Sequence, residues 1–211
     1  MPKKNSRSKS SAQWLKEHFT DPYVKLAQQE GYRSRAVYKL LEMHKRDRLF
    51  KPGMTVVDLG AAPGGWSQLV IKLIHPPRGK LFAMDILPME PIENVDFLQG
   101  DFTDEAVLAE IMQQLGDKKV DWVISDMAPN TSGEESVDVP KSVYLCELAY
   151  DFALKVLKKD GGLLIKVFQG DGFDVLLANI KRTFAKTVVR KPKASRERSR
   201  EIYILARGLR E

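Results

Sequence analysis

The sequence predicts an α/β protein built on a doubly wound, mainly parallel sheet with helices on both faces. Short β-branched apolar runs alternate with amphipathic helical runs, a glycine-rich turn follows the first of those strands, and carboxylates recur where successive strands should end. At 211 residues, 43% of them apolar, the chain is long enough for a substantial core and short for two full domains. We expect residues 1–10, rich in Lys, Arg and Ser, to be a flexible basic arm and residues 11–211 to form a single domain.

In chain order, helical spacing through Trp14, Leu15, Phe19 and Val24 predicts a helix over 11–29. Val37, Leu40, Leu41 and Met43 predict a second over 33–49, so two helices precede the sheet. Strands are expected at 55–60, 81–86, 95–99, 120–127, 163–168, 187–190 and 202–206, with helices at 66–74, 105–115, 143–157 and 173–184 between them. Residues 130–140, with Gly133, Glu134, Glu135 and Asp138, are the longest irregular stretch and read as a mobile flap.

The segment from Val56 to Gln68 carries the most information. Gly60, Gly64 and Gly65 permit positive φ and close backbone approach where a buried strand ends, which is where ligands bind in such sheets. The spacing is not G-x-G-x-x-G, and Pro63 removes an amide donor that a pyrophosphate would need. A nucleoside without phosphates fits better than a dinucleotide. Asp58, Asp85, Asp101 and Asp126 fall near the ends of the first four strands. Asp85 is 20 residues beyond Gly65, the spacing at which an acid accepts ribose hydroxyls, and Asp101 is placed to reach an adenine amino group.

Charge is unevenly placed. Residues 1–51 hold 13 Lys/Arg against 5 Asp/Glu, residues 52–185 hold 12 against 20, and residues 186–200 carry seven bases with Glu197 as the one acid. An acidic body flanked by basic segments suits a polyanion, nucleic acid above all. Arg33 and Arg35 on one side, and Arg196, Arg198 and Arg200 on the other, are the candidate nucleic-acid contacts. No apolar run approaches the ~20 residues of a membrane span and the start has no signal-peptide core, so a cytoplasmic protein without a membrane partner is expected. Cys146 has no cysteine to pair with and reads as core packing. His18, His44 and His75 stand apart, and no metal site is expected.

The ordered acids and the glycine turn resemble the Rossmann-like class I S-adenosylmethionine-dependent methyltransferases from about residue 56 to 206. Trp14 to Phe19, Arg33 to Ala36, Gly60 to Ser67, Ser125 to Asn130 and Lys166 to Gly170 together make the chain similar, nearly end to end, to the FtsJ/RrmJ family of RNA 2′-O-methyltransferases. The resemblance implies seven strands with the last antiparallel. It implies S-adenosylmethionine as cofactor, with S-adenosylhomocysteine as product. Gly60, Gly64, Gly65, Trp66, Asp85, Asp101 and Asp126 would form the cofactor site, and Lys39, Asp126, Lys166 and Glu201 a catalytic tetrad. It further implies methylation of a uridine in the A-loop of large-subunit ribosomal RNA, on the assembled large subunit, by a monomer. A tRNA ribose methyltransferase and a non-catalytic RNA-binding assembly factor are the alternatives.

Part of the tetrad can be placed from the residues themselves. Asp126 and Lys166 lie near the ends of their strands, and Glu201, starting an antiparallel last strand, comes to the same edge. Lys39 is put there by the resemblance alone. A hydroxyl acceptor is favoured over an amine, because the segment from Asp126 to Pro129 lacks the aromatic that would clamp a flipped base.

Overall fold

The computed structural model describes residues 20–210. Helices α1 (Pro22–Gln29) and α2 (Val37–Asp47) precede β1 (Thr55–Leu59), α3 (Gly65–Ile74), β2 (Lys80–Asp85), β3 (Val95–Gln99) and α4 (Glu105–Leu115). Then come β4 (Val120–Ser125), α5 (Glu135–Val156), β5 (Leu157–Phe168), α6 (Phe173–Thr183), β6 (Phe184–Arg190) and β7 (Glu201–Leu209). The seven strands make one sheet in the order β3-β2-β1-β4-β5-β7-β6. Pairing is parallel from β3 through β5, and β7 runs antiparallel between β5 and β6. The order reverses between β1 and β4, so a crevice opens at their carboxyl ends.

Alternation of side chains divides the core in two. Val57, Leu59, Phe82, Met84, Leu163 and Ile165 point to the face covered by α4, α5 and α6. Val56, Leu81, Ile124, Leu164, Tyr203 and Leu205 point to the other, under α2 and α3. Leu40, Met43 and Ile74 seal that second face, at on the order of 2 kcal/mol for each fully buried side chain. Gly162 lets β5 cross the Trp122 indole, since a Cβ there would lie 2.5 Å from the ring.

Several boundaries differ from the sequence reading. Of the first expected helix, Pro22–Gln29 is helical behind the Asp21 cap, whose carboxylate accepts from the Tyr23 amide at 2.9 Å; residues 1–19, including the basic arm, lie outside the described residues. The second begins at Val37 rather than at 33, because Arg33 to Ala36 form a turn fastened to α3 and its preceding loop. The largest correction is the flap. Helix α5 starts at Glu135, eight residues before the expected 143, and contains Pro140. Asp138 accepts the amides of Ser132 and Gly133 at 2.8 and 3.0 Å, tying the preceding loop to the first turns of the helix. Among the described residues no helix is long and apolar enough to cross a membrane.

Candidate active site

At the carboxyl ends of β1 to β4 lies a cavity of about 700 Å³. Its walls come from the turn after β1 (Gly60, Ala62), the ends of β2 and β3 (Asp85, Asp101), the segment after β4 (Asp126) and one side of α5. Gly60 is required there: its φ is +76°, and a Cβ would sit 2.7 to 2.9 Å from Met127. Its amide and that of Ala61 both donate to the Met84 carbonyl, at 2.9 and 3.0 Å, which folds the turn over the end of β2.

Asp85 is oriented by two amides, Ala62 to Oδ2 at 2.9 Å and Leu87 to Oδ1 at 2.8 Å, and each oxygen keeps lone-pair capacity for a ribose hydroxyl. Asp101 Oδ1 accepts from the Thr103 amide and hydroxyl, at 2.9 and 2.8 Å. Those bonds, the amide first, hold its carboxyl below the usual range, and the carboxylate stays an acceptor fit for an amino group. Beneath the turn Asp58 is fully buried on the α3 face. Ser67 Oγ donates to its Oδ2 at 2.7 Å, and its Oδ1 has no hydrogen-bond partner. Burial pushes this carboxyl up to about 7, with the Asp126 and Asp85 charges adding in the same direction.

Gly64, Gly65 and Trp66 do not form walls of the cavity. A Cβ at Gly64 would meet Ile92 and Arg33, and one at Gly65 would lie 3.0 Å from Ser34, so these glycines let the Arg33–Ser34 turn pack on the start of α3. The Trp66 indole donates to the Ala36 carbonyl at 2.9 Å and packs against Tyr203. What these three could offer a cofactor is backbone at the α3 N-terminus, not side chain.

Beside the cavity the tetrad residues form two buried ion pairs. Lys166 Nζ lies 3.1 Å from Asp126 Oδ1 and donates to the Asp126 carbonyl at 2.5 Å. Lys39 Nζ lies 2.5 Å from Glu201 Oε1. Both lysines are under 10% exposed. Strand register explains the convergence: Lys166 pairs with Tyr203 and Phe168 with Glu201, and period-2 alternation puts Lys166, Glu201 and Tyr203 on the α2 face. Lys39, which nothing but resemblance placed here, is delivered by α2 packing on that face.

Two members were missed. Tyr203 donates to Asp126 Oδ1 at 3.0 Å, its hydroxyl pushed well up by burial and by Asp126, and Ser195 Oγ donates to Glu201 Oε1 at 2.8 Å. Tyr203 was legible as the same-face neighbour of Glu201; Ser195 had no sequence signal. Cys146 is no nucleophile: burial pushes its thiol up to about 12, and Sγ donates to the Lys166 carbonyl at 2.9 Å.

The basic residues expected at RNA are partly engaged within the chain. Arg33 donates to the carbonyls of Pro63, Glu90 and Pro91, and Arg35 pairs with Asp21 at 2.9 Å and donates to the Ala194 carbonyl at 2.7 Å. Both therefore clamp neighbouring segments, with their guanidinium groups partly engaged within the chain. Arg196 lies 3.9 Å from Asp21, Arg198 is exposed, and Arg200 pairs with Glu135. No group of His, Cys, Asp or Glu among the described residues is arranged to hold a metal ion.

A doubly wound sheet with an antiparallel seventh strand, a nucleoside-sized cavity at the switch point and paired lysines beside it define a methyltransferase of the Rossmann-like class. The chain belongs to the FtsJ-like methyltransferase family, whose profile matches residues 32–209. It is 59% identical over 205 residues to ribosomal RNA large subunit methyltransferase E of Pseudomonas aeruginosa, covering 97% of this chain and 99% of the relative. With the Pseudomonas fluorescens protein of the same name it shares 58% over 205 residues, 97% and 98% of the two chains. A crystal structure of a ribosomal RNA methyltransferase from Plasmodium falciparum superposes with a TM-score of 0.76 at 29% identity, over 84% of this chain and 98% of that one. Human methyltransferase-like protein 13, solved with SAH, shares the fold at TM-score 0.56 and 16% identity, over 81% and 79%.

Proposed function

We propose that this chain transfers a methyl group from S-adenosylmethionine to the 2′-hydroxyl of a uridine in the A-loop of large-subunit ribosomal RNA, acting on the assembled subunit. The observation that carries the chemistry is the pair of buried lysine–carboxylate bridges set against the cofactor cavity. The names of the 58–59% identical relatives support the RNA class.

The residues fit the donor. Asp85 would accept its ribose hydroxyls and Asp101 its adenine amino group. When bound, that cofactor supplies an electrophilic methyl on a sulfonium. The protein's task is to aim a weak nucleophile and manage its proton. Asp126 is fixed by Tyr203 and Lys166, so a negative oxygen faces the junction of the two subsites. Lys166 Nζ serves there as the partner of the ribose hydroxyl and, after its ammonium has released a proton to solvent, as the neutral amine that accepts the hydroxyl proton. Lys39 and Glu201, locked by Ser195, hold the ribose on its other side and keep the region electrically balanced. An acceptor hydroxyl also matches the segment Met127 to Asn130, which offers no aromatic to clamp a base.

Incubation with labelled cofactor and undermethylated large subunits, naked ribosomal RNA or tRNA, followed by mapping of the modified nucleotide, tests the proposal. Label on one uridine ribose of the subunit is expected. Label confined to tRNA overturns the substrate, and no transfer to any RNA overturns the enzyme.

A further inference from the structure

Helix α5 borders the cavity, which its residues Lys141, Tyr144 and Leu145 line. Near its start the Phe168 amide donates to Ser142 Oγ at 3.1 Å, and one turn later Cys146 bonds the Lys166 carbonyl, so this stretch packs on the end of β5 from the face opposite the Lys166 side chain. The adjoining side of the same turns faces the cavity with Lys141 and Tyr144. Spaced i, i+3, they are neighbours on the helix surface. Tyr144 is 52% exposed, and its hydroxyl has no hydrogen-bond partner among the described residues. Lys141 is exposed and makes no ion-pair contact among the described residues; the Asp138 carboxylate feels its charge from farther off, while bonding the Ser132 and Gly133 amides. An exposed aromatic ring one turn from an exposed ammonium, at the rim of the cavity, matches the stacking surface and the cation that an unpaired nucleotide requires.

We propose that Lys141 and Tyr144 form a subsite for the RNA nucleotide next to the one methylated, its base stacked on the Tyr144 ring and its phosphate at Lys141 Nζ. The inference rests on the RNA methyltransferase reading. The subsite holds the strand in place while the acceptor ribose enters between Lys166 and Lys39. Both residues are positioning residues, since neither touches the reacting atoms.

The test measures steady-state kinetics on undermethylated large subunits, and calorimetric binding of S-adenosylhomocysteine, for wild type, Tyr144→Ala, Tyr144→Phe and Lys141→Gln. Tyr144→Ala should raise KM for subunits roughly tenfold, with a smaller change in kcat, and Tyr144→Phe should restore most of that loss, because the ring provides the stacking. Lys141→Gln should raise KM and make binding less salt-dependent, by close to one contact. The Kd of S-adenosylhomocysteine should stay within about twofold throughout. A Kd that rises with Tyr144→Ala assigns the ring to the cofactor adenine and overturns the subsite. An unchanged KM in Tyr144→Ala overturns it too while leaving the enzymatic reading intact. A wild-type protein inactive on every RNA overturns both.

Discussion

On the cofactor side of the crevice Asp85 and Asp101 take their hydrogen bonds from amides and a hydroxyl, with no cation in contact with either among the described residues. On the acceptor side Asp126 and Glu201 each hold a lysine ammonium, out of water. The contrast follows from what each side must admit. A cationic sulfonium nucleoside is attracted by carboxylates that are oriented and not neutralised. An RNA ribose arrives between phosphates, so unpaired carboxylates would repel it and unpaired lysines would capture a phosphate in place of the hydroxyl. Internal pairing removes both errors, and Asp126 stands at the boundary between the two arrangements.

The sharpest way to break this comparison is to leave a cation on the acceptor side but remove its ability to take a proton. Lys166→Arg keeps a positive partner for Asp126, and guanidinium stays protonated at any workable pH. Single-turnover methyl transfer should fall about 10²- to 10⁴-fold while S-adenosylhomocysteine binding persists. Near-normal turnover would show that Lys166 acts by charge and orientation alone.

Asp58, beneath the glycine turn, tests the cofactor side through stability. Burial raises its folded pKa from 3.8 to about 7, so between about pH 4 and pH 7 the folded state holds a proton that the unfolded chain has released. Its contribution is present in full below pH 4 and is lost as the pH rises through 7. The shift corresponds to at most about 4 kcal/mol. Asp58→Asn keeps an acceptor for Ser67 and does not ionise. Urea unfolding at a series of pH values should show the variant gaining on wild type from pH 4 to pH 7, with a constant difference above. Parallel curves would mean that Asp58 is ionised throughout.

How much of this was legible depends on the range of the interaction. The glycine turn and the strand-end acids are local patterns with period 2 along buried strands, and the structure puts them at one edge because parallel strands share a direction. The start of α5 was not legible: Glu-Ser-Val-Asp-Val-Pro has an acidic, proline-broken look, and its helix is tied down by tertiary burial of Val139 and Val143 and by Asp138 holding the amides of Ser132 and Gly133. The fate of the basic residues was hidden for a different reason. Arg35 reaches a carbonyl 159 residues away, and Arg190 holds Asp47 across 143, distances at which charge pattern says nothing about partners. Lys39 belongs with these, since its approach to Glu201 depends on how α2 packs.

A smaller change on the cofactor side is Asp101→Asn. The amide can keep its oxygen toward Thr103, which turns its NH₂ toward the space where the carboxylate would accept an adenine amino group, donor against donor. Cofactor affinity should drop about tenfold, as for loss of a hydrogen bond to a charged group. Affinity for RNA should be unaffected. Calorimetry on each ligand separately checks it, and a matching loss of RNA binding would contradict the separation of the two sides.

The smallest effect is expected at the rim. Arg200, next to Glu201, pairs with Glu135 at the start of α5, so this bridge ties the segment before β7 to α5 rather than to α2 or the sheet. Here, however, both side chains are more than half exposed, so each ion keeps most of its hydration and the attraction is screened by solvent and salt. Glu135→Gln should therefore change unfolding free energy by less than ~0.5 kcal/mol, and less still in half-molar salt. Glu201 differs because it holds Lys39 with both side chains mostly buried: removing that carboxylate leaves a largely buried ammonium without its partner. Urea unfolding of Glu135→Gln at two salt concentrations decides the matter. A loss above ~2 kcal/mol would mean that α5 and the segment before β7 close over this pair and bury it, and that charge on the acceptor side is sealed out to its rim.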